Sequence, residues 1–527
     1  MKRLLLLGWA AMLFCSGALH AQTLRWASQG DPQTMDPHSQ NELLTNSMNG
    51  QIYEKLVKRD RALNLVPSLA TEWTQVSTLL WRFKLRPGVK FQDGTPLTAA
   101  DVVFSINRAK GPTSQLANYA SAVGTPRAVD ALTVEFALAA VNPIFLQHLD
   151  TIFIMSKSWC EAHNATRPLD FKNKEESFTS LNANGTGPYQ LETRQPGIKT
   201  VFKRNSAWWG KLEGNVQEVI FTPIGNDATR LAALVSGEID FVLDPAPRDV
   251  GRLRTTAGVK VIDGPENRLI FIAMDQARDT LLYGRVPNGK NPFKDVRVRE
   301  AFYRAIDEET IAKRVMRGQA VPSALLIAPV LFPRASEFKR PEYDPKRAKA
   351  LLTEAGYPDG FSLGMDCPND RYVNDEAICQ AVVSMLARVG VKVNLNAQPK
   401  AKYFAKVLAP AYDTSFYLVG WTPSSQDSHN ILFEIAGCRN GSKPGRGNWN
   451  LGNYCNPKVD ALADSVEAES NQTKRNAQIK EGFDTIQADW GFIPLHQQAL
   501  AWGVSKKVTL VQRPDNMLML YWVSKQP

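Results

Sequence analysis

Histidine is scarce, six in 527 residues, and one of the six, His20, falls in the extreme N-terminal segment. The five that remain form no His-Glu-x-x-His pair, and none stands at ligand spacing from a cysteine pair. Cys-x-x-Cys is absent as well, so the usual zinc patterns are missing and no metal is expected. His429 and His496 are isolated in sequence. The strained strand-to-helix turn Gly-x-Ser-x-Gly, which presents a serine nucleophile, does not occur. Gly185-Thr186-Gly187-Pro188 is glycine-rich but has no following Lys-Ser/Thr pair, and Pro188 lacks an N–H. It fits neither a phosphate loop nor a dinucleotide fingerprint and reads as a tight structural turn. Paired carboxylates for glycoside cleavage are recognised only by their distance in space, and nothing in the sequence nominates a pair. No enzymatic activity and no cofactor are expected.

Other absences bound the class of protein. After the first 21 residues no apolar run approaches the roughly 20 residues that cross a bilayer, so the mature chain is expected to be soluble or peripheral. Internal repeats and low-complexity tracts are missing. The formal net charge is +10, yet basic residues alternate with acids, as in Lys294-Asp295-Val296-Arg297-Val298-Arg299-Glu300. Without a dense basic block interleaved with aromatics, nucleic acid is not an expected partner.

What is present begins at the N-terminus. Met1-Lys2-Arg3 is basic, residues 4–17 are almost wholly apolar, and Ala18-Leu19-His20-Ala21 offers small residues. That order reads as a secretory signal peptide over residues 1–21, cleaved near Ala21 to leave a chain starting at Gln22. Cys15 raises the alternative of a lipoprotein, but Phe14 stands where lipid attachment prefers a small residue. Removing Lys2 and Arg3 leaves a net charge of +8. Five cysteines remain. Cys367 lies near Cys379, and Cys438 near Cys455, as local disulfides of an oxidising compartment would; Cys160 is left as a free, buried thiol. Hydrophobic content of 44% and charged content of 22% are those of a globular protein. Some 500 residues exceed the about 250–300 that one core can organise, so two or three lobes are expected.

Local pattern predicts an α/β fold. Leu80-Trp81-Arg82-Phe83-Lys84-Leu85-Arg86 alternates with strand period, Pro87-Gly88 turns, and Val89-Lys90-Phe91 continues the alternation. Thr98 with Asp101 three residues on gives capping-box spacing before a helix. Helices are predicted over 42–57, 228–236, 296–306, 345–352, 374–389, 458–469 and 476–490. Strands are predicted over 129–136, 189–191, 199–203, 216–222, 240–243, 361–363, 391–395, 412–420, 499–504 and 517–521. Strands and helices alternate, as in α/β domains. No linker is marked by composition, which favours lobes that the chain crosses more than once.

Several of these segments resemble the family 5 extracellular solute-binding proteins, the periplasmic dipeptide- and oligopeptide-binding components of ABC importers. The longest is Phe83-Lys-Leu-Arg-Pro-Gly-Val-Lys-Phe-Gln-Asp-Gly-Thr-Pro-Leu-Thr-Ala-Ala-Asp-Val-Val-Phe-Ser105. Asn184-Gly-Thr-Gly-Pro-Tyr189, Leu234-Val-Ser-Gly-Glu-Ile-Asp240, Pro292-Phe-Lys-Asp-Val-Arg-Val-Arg-Glu-Ala301 and Asn453-Tyr-Cys-Asn-Pro457 add to it. The resemblance implies a three-lobe α/β binding protein. Lobe I would take 22–66, 186–275 and 496–527, the accessory lobe 67–185, and lobe II 276–495. Lobes I and II would close on a short peptide and present it to an inner-membrane ABC permease, the protein acting as a periplasmic monomer.

The same resemblance nominates a site. In dipeptide binders an arginine after a lobe II strand holds the peptide carboxylate, and here that residue is Arg371. A guanidinium fork suits two carboxylate oxygens; a plain surface arginine is the alternative. Trp421 matches the family tryptophan that ends a lobe II strand, and would contact ligand or simply fill core. The family's amine-binding aspartate falls on Ser424, and Asp427 matches a second acidic position. Ser424 in place of the aspartate opens the alternative of a non-peptide or N-blocked solute, such as a modified peptide, sugar, haem or metal chelate.

Overall fold

Residues 269–274 read Leu-Ile-Phe-Ile-Ala-Met, apolar at every position. A run without alternation makes a strand only if both faces are covered. The computed structural model, which describes residues 22–527, places this run at the C-terminal end of the strand Val259–Met274, within an eleven-stranded mixed sheet. From one edge the order is Lys392–Gln398, Ser362–Pro368, Phe416–Trp421, Val259–Met274 and Phe492–Ser505. It continues through Phe241–Val242, Gln22–Ser28, Val216–Pro223, Lys199–Arg204 and Tyr189–Gln195. Ala320–Pro322 pairs beside Phe492–Ser505.

The two longest strands join the halves of this sheet. Val259–Met274 and Phe492–Ser505 run antiparallel, with Val259 to Pro265 opposite Ser505 to Ala499, and Leu269 to Ala273 opposite Gln497 to Phe492. The register shifts between Pro265 and Leu269. Glu266, Asn267 and Arg268 occupy the shift and are nearly inaccessible to solvent, so three polar side chains are buried at the crossing point.

The core is divided in the same way. One apolar cluster draws only on residues from Ile270 to Leu495. A second gathers Leu24, Trp26, Tyr189, Val216, Trp502 and Leu520 from segments hundreds of residues apart. A third, from Leu56 to Ile154, fills the space behind a separate four-stranded antiparallel sheet, Ala70–Ser77, Leu80–Leu85, Thr133–Ala137 and Thr125–Asp130. A small fourth cluster packs Leu231, Leu234 and Leu253 on Val242. Among the described residues no helix is long and apolar enough to cross a membrane. The expected signal peptide lies outside the described residues.

Most predicted elements form, with bounds shifted by a few residues. The capping box is present, Thr98 N donating to Asp101 Oδ2 at 2.9 Å ahead of the helix Ala99–Ala109. The helix predicted over 42–57 is shorter: it runs Leu43–Asn49 and stops at Gly50. The backbone beyond turns to another partner, Gly187 N donating to Ile52 O and Tyr189 N to Gln51 O. This is what Gly185-Thr186-Gly187 does. A Cβ on Gly185 would lie 2.1 Å from Ile52 O and one on Gly187 2.6 Å from it, so only glycine lets the two backbones meet. Residues 89–91 make an isolated bridge, Lys90 to Pro96, rather than a strand. The strand predicted over 129–136 is a hairpin, Thr125–Asp130 and Thr133–Ala137, turning at residues 131–132. Residues 517–521 lead into a short 3-10 turn, Leu520–Trp522, instead of a strand. Pro247–Thr255 and Lys400–Val407 are among the helices that escape the sequence pattern, together with the short ones Ala117–Ala122, Phe145–Leu149, Lys157–Ala162 and Phe178–Leu181.

Both expected disulfides form, Cys367–Cys379 and Cys438–Cys455. The first ties the strand Ser362–Pro368 to the helix Asp375–Ala387, closing the loop that holds Arg371. Cys160 is free and buried, and burial pushes its thiol up to about 12, so it is inert at neutral pH.

Candidate functional site

Between the halves of the large sheet lies a partly open cavity of about 160 Å³, room for roughly ten waters. The short helix Leu43–Asn49 and the C-terminal stretch Met517, Met519 and Tyr521 form one wall. Arg371, Tyr372, Gly420, Trp421, Ser424 and Trp449 form the other, and Arg268 reaches it from the crossing strands. Gly420 leaves no room for a side chain: a Cβ would lie 2.6 Å from Ile270 Cδ1 and 2.7 Å from the ring of Tyr372.

Arg371 follows the strand Ser362–Pro368, and its guanidinium lies over the Tyr372 ring at 4.8 Å. Asp375 fixes the loop by accepting the backbone N–H groups of Arg371 and Tyr372 at 3.0 and 2.9 Å. Arg371 Nε is 3.1 Å from Glu42 Oε1. Among the described residues no acceptor meets its two terminal Nη groups. The fork therefore enters the cavity with its outer donors free.

Glu42 is a further feature that sequence pattern does not mark. It caps the helix Leu43–Asn49, accepting from Leu44 N and Thr45 N. Lys400, from one of the unpredicted helices, stands 3.5 Å from its other oxygen. Burial alone would raise the Glu42 carboxyl, but Lys400 and Arg371 outweigh it and hold the group down at about 2. Behind Arg371, burial and the neighbouring Glu266 push the Asp244 carboxyl well above the usual range.

Trp421 sits at the border between the cavity and the core. It lines the cavity, yet it is 5% exposed, packs 4.8 Å from Trp449, and donates its Nε1 to Asn430 Oδ1 at 2.6 Å. Ser424 also lines the cavity and donates to Asn41 Oδ1 at 3.1 Å, bridging the two walls. Asp427 does not reach the cavity. Arg475 donates to both its oxygens at 2.7 and 2.9 Å, and His429 N to one of them. Although burial opposes it, that fork keeps the Asp427 carboxyl below the usual range. It forms an ion pair with Arg475 away from the cavity lining.

Residues 64–443 match the model of the bacterial extracellular solute-binding proteins, family 5. The chain belongs to this family. It is a solute-binding protein of the kind that serves ABC importers, and not an enzyme. This family 5 protein is 27% identical over 520 residues to the glutathione-binding protein GsiB of Salmonella typhimurium, covering 96% of this chain and 95% of that one. Its fold is similar to that of the periplasmic binding protein DppA of Helicobacter pylori in complex with the peptide STSA (TM-score 0.84, 22% identity, 96% of this chain and 98% of that one). It is also similar to the dipeptide-binding protein of Pseudoalteromonas sp. SM9913 in complex with Met-Leu (TM-score 0.83, 22% identity, 96% and 100%).

Proposed function

We propose that this protein captures a short peptide, or a solute built like one, in the periplasm and delivers it as a monomer to an inner-membrane ABC permease. The single observation that carries the reading is the Arg371 fork, braced by Tyr372, Asp375 and the Cys367–Cys379 bridge, with its outer donors open to the cavity. Glu42 meets only the Nε side of Arg371, and a peptide carboxylate supplies acceptors for the two terminal nitrogens. In this reading Trp421 packs on the ligand and Ser424 offers a hydroxyl where an amine's counter-ion is missing.

The lobes follow from the same reading. Lobe I takes 22–66, 186–275 and 496–527, the accessory lobe 67–185, and lobe II 276–495, with the strand crossing at Glu266–Arg268 as the hinge. The separate apolar clusters support this division. Residues 1–21 direct export and are removed near Ala21. That relatives are described as binding glutathione, Met-Leu and STSA supports a ligand of two to four residues.

Thermal denaturation of the mature chain tests this. A di- or tripeptide at about 100 times its dissociation constant adds about 2.7 kcal/mol, a clear rise in Tm. If no member of a di-, tri- and tetrapeptide panel raises Tm while a sugar or metal chelate does, the peptide reading is wrong.

A further inference from the structure

The charges that line the cavity are not balanced in what they leave free. Four carboxylates line it, Glu42, Glu54, Asp150 and Asp515, and each is already engaged. Glu42 is held by Arg371, Lys400 and the helix N–H groups. Glu54 accepts from Trp208, Trp209 and Thr186. Asp150 pairs with Arg59 at 2.8 Å and Lys55 at 3.7 Å, and Asp515 with Arg513. An ammonium group entering this cavity finds no carboxylate without a donor.

The cations are different. Six line the cavity, and three keep donors in reserve. Arg371 has its terminal nitrogens free. Arg268 uses Nε for Glu266 at 2.9 Å, and among the described residues no acceptor meets its outer nitrogens. Its guanidinium and that of Arg371 share the Tyr372 ring, at 5.6 and 4.8 Å. Lys58 makes no ion pair among the described residues. Its ammonium lies over the rings of Tyr521 and Trp209, at 5.3 and 5.9 Å. Burial holds Lys58 below the usual lysine range, so an anion beside it would be stabilising.

These free cations stand at opposite ends of the cavity. Arg371 meets Glu42, the N-cap of the helix Leu43–Asn49. Lys58 lies beyond the other end, beside Tyr521. The C-terminal stretch runs the same way: Leu518 N meets Ser47, Leu520 N meets Gln51, and Tyr521 follows beside Lys58. Seven helical residues span about 10 Å, and three extended residues span about the same.

We propose that the preferred ligand is a net-anionic solute of about tripeptide length with an acidic group at each end, one on the Arg371–Arg268 pair and the other on Lys58. This rests on the peptide reading above and sharpens it to a chemical class, an N-acylated or otherwise acidic peptide whose far end carries a carboxylate. Lys58 is then a specificity-determining residue, and Ser424 is not an amine site.

Calorimetry with three probes separates the two readings: succinyl-Ala-Ala, with an acid at each end, acetyl-Ala-Ala-Ala, with one, and zwitterionic Ala-Ala-Ala. Succinyl-Ala-Ala is expected to bind at least about tenfold tighter than the other two. Lys58→Met should abolish that preference without weakening acetyl-Ala-Ala-Ala, and Lys58→Arg should keep it. An unchanged Tm of the ligand-free variants shows that they fold. If Ala-Ala-Ala binds as well as or better than succinyl-Ala-Ala, the anionic class is overturned and the peptide reading stands. A loss of all probes alike in Lys58→Met also overturns the assignment of Lys58. If none of the three binds the unaltered protein, both readings fall.

Discussion

Glu42 is the residue on which the cavity's charge arrangement turns. Its folded value of about 2 lies below the ordinary 4.5. The ionised group therefore contributes stability that is fully present above about pH 4.5 and lost as pH falls toward 2. The contribution is on the order of 3 kcal/mol. Glu42→Gln should flatten the acid limb of a stability–pH curve measured by chemical denaturation between pH 5 and pH 2.5. An unchanged slope would show that the Arg371 and Lys400 contacts do not hold this carboxylate. Little of this was open to sequence reading. Arg371, Trp421 and Ser424 are reached because they sit in or beside recognisable segments, and all three line the cavity. Glu42 and Lys400 are not, because an ion pair between residues 42 and 400 leaves no local signature. Asp427 shows the converse: it matches a family position in sequence, but its carboxylate is taken up by Arg475, which pattern does not reveal.

Elements explain the rest of what pattern reading misses. Apolar residues at helical spacing predict a helix over 42–57, but Gly50 and the tertiary pairing of Gln51 and Ile52 with residues 187–189 override the propensity. Strands of the large sheet are legible because buried runs and alternation are local; their order is not, since it joins segments up to hundreds of residues apart. The Cys367–Cys379 bridge is the device that carries element geometry to the site. Closing a loop of this length contributes about 3 kcal/mol. Replacing both cysteines with serine should lower Tm and also weaken ligand binding, because the loop bearing Arg371 loses its brace. A lowered Tm with unchanged affinity would show that Tyr372 and Asp375 suffice to hold it.

Across the whole molecule, one buried cluster links the third apolar core to the wall that carries Trp421. Glu434 accepts from Asn118 at 2.5 Å and from Asn430 at 2.7 Å, and Asn430 in turn accepts from Trp421. Burial raises the Glu434 carboxyl to about 7. Its folded value lies above the unfolded one, so this contact is most stabilising below about pH 4.5 and weakens as pH rises through 7. Glu434→Gln should remove that decline, read as Tm at pH 5 and pH 8; an equal decline in both proteins would place its origin elsewhere.

The central claim is that the halves of the molecule enclose a peptide-like solute by its carboxylate. Isothermal titration of the mature chain with a bound peptide and with its C-terminal amide tests this most directly, in the unaltered protein and in Arg371→Ala. Hydrogen bonds to a charged group are worth about 1.5–3 kcal/mol, so the amide should bind roughly 10- to 150-fold more weakly, and Arg371→Ala should lose the distinction. Equal affinity for acid and amide in the unaltered protein, or an undiminished preference in Arg371→Ala, would contradict the account.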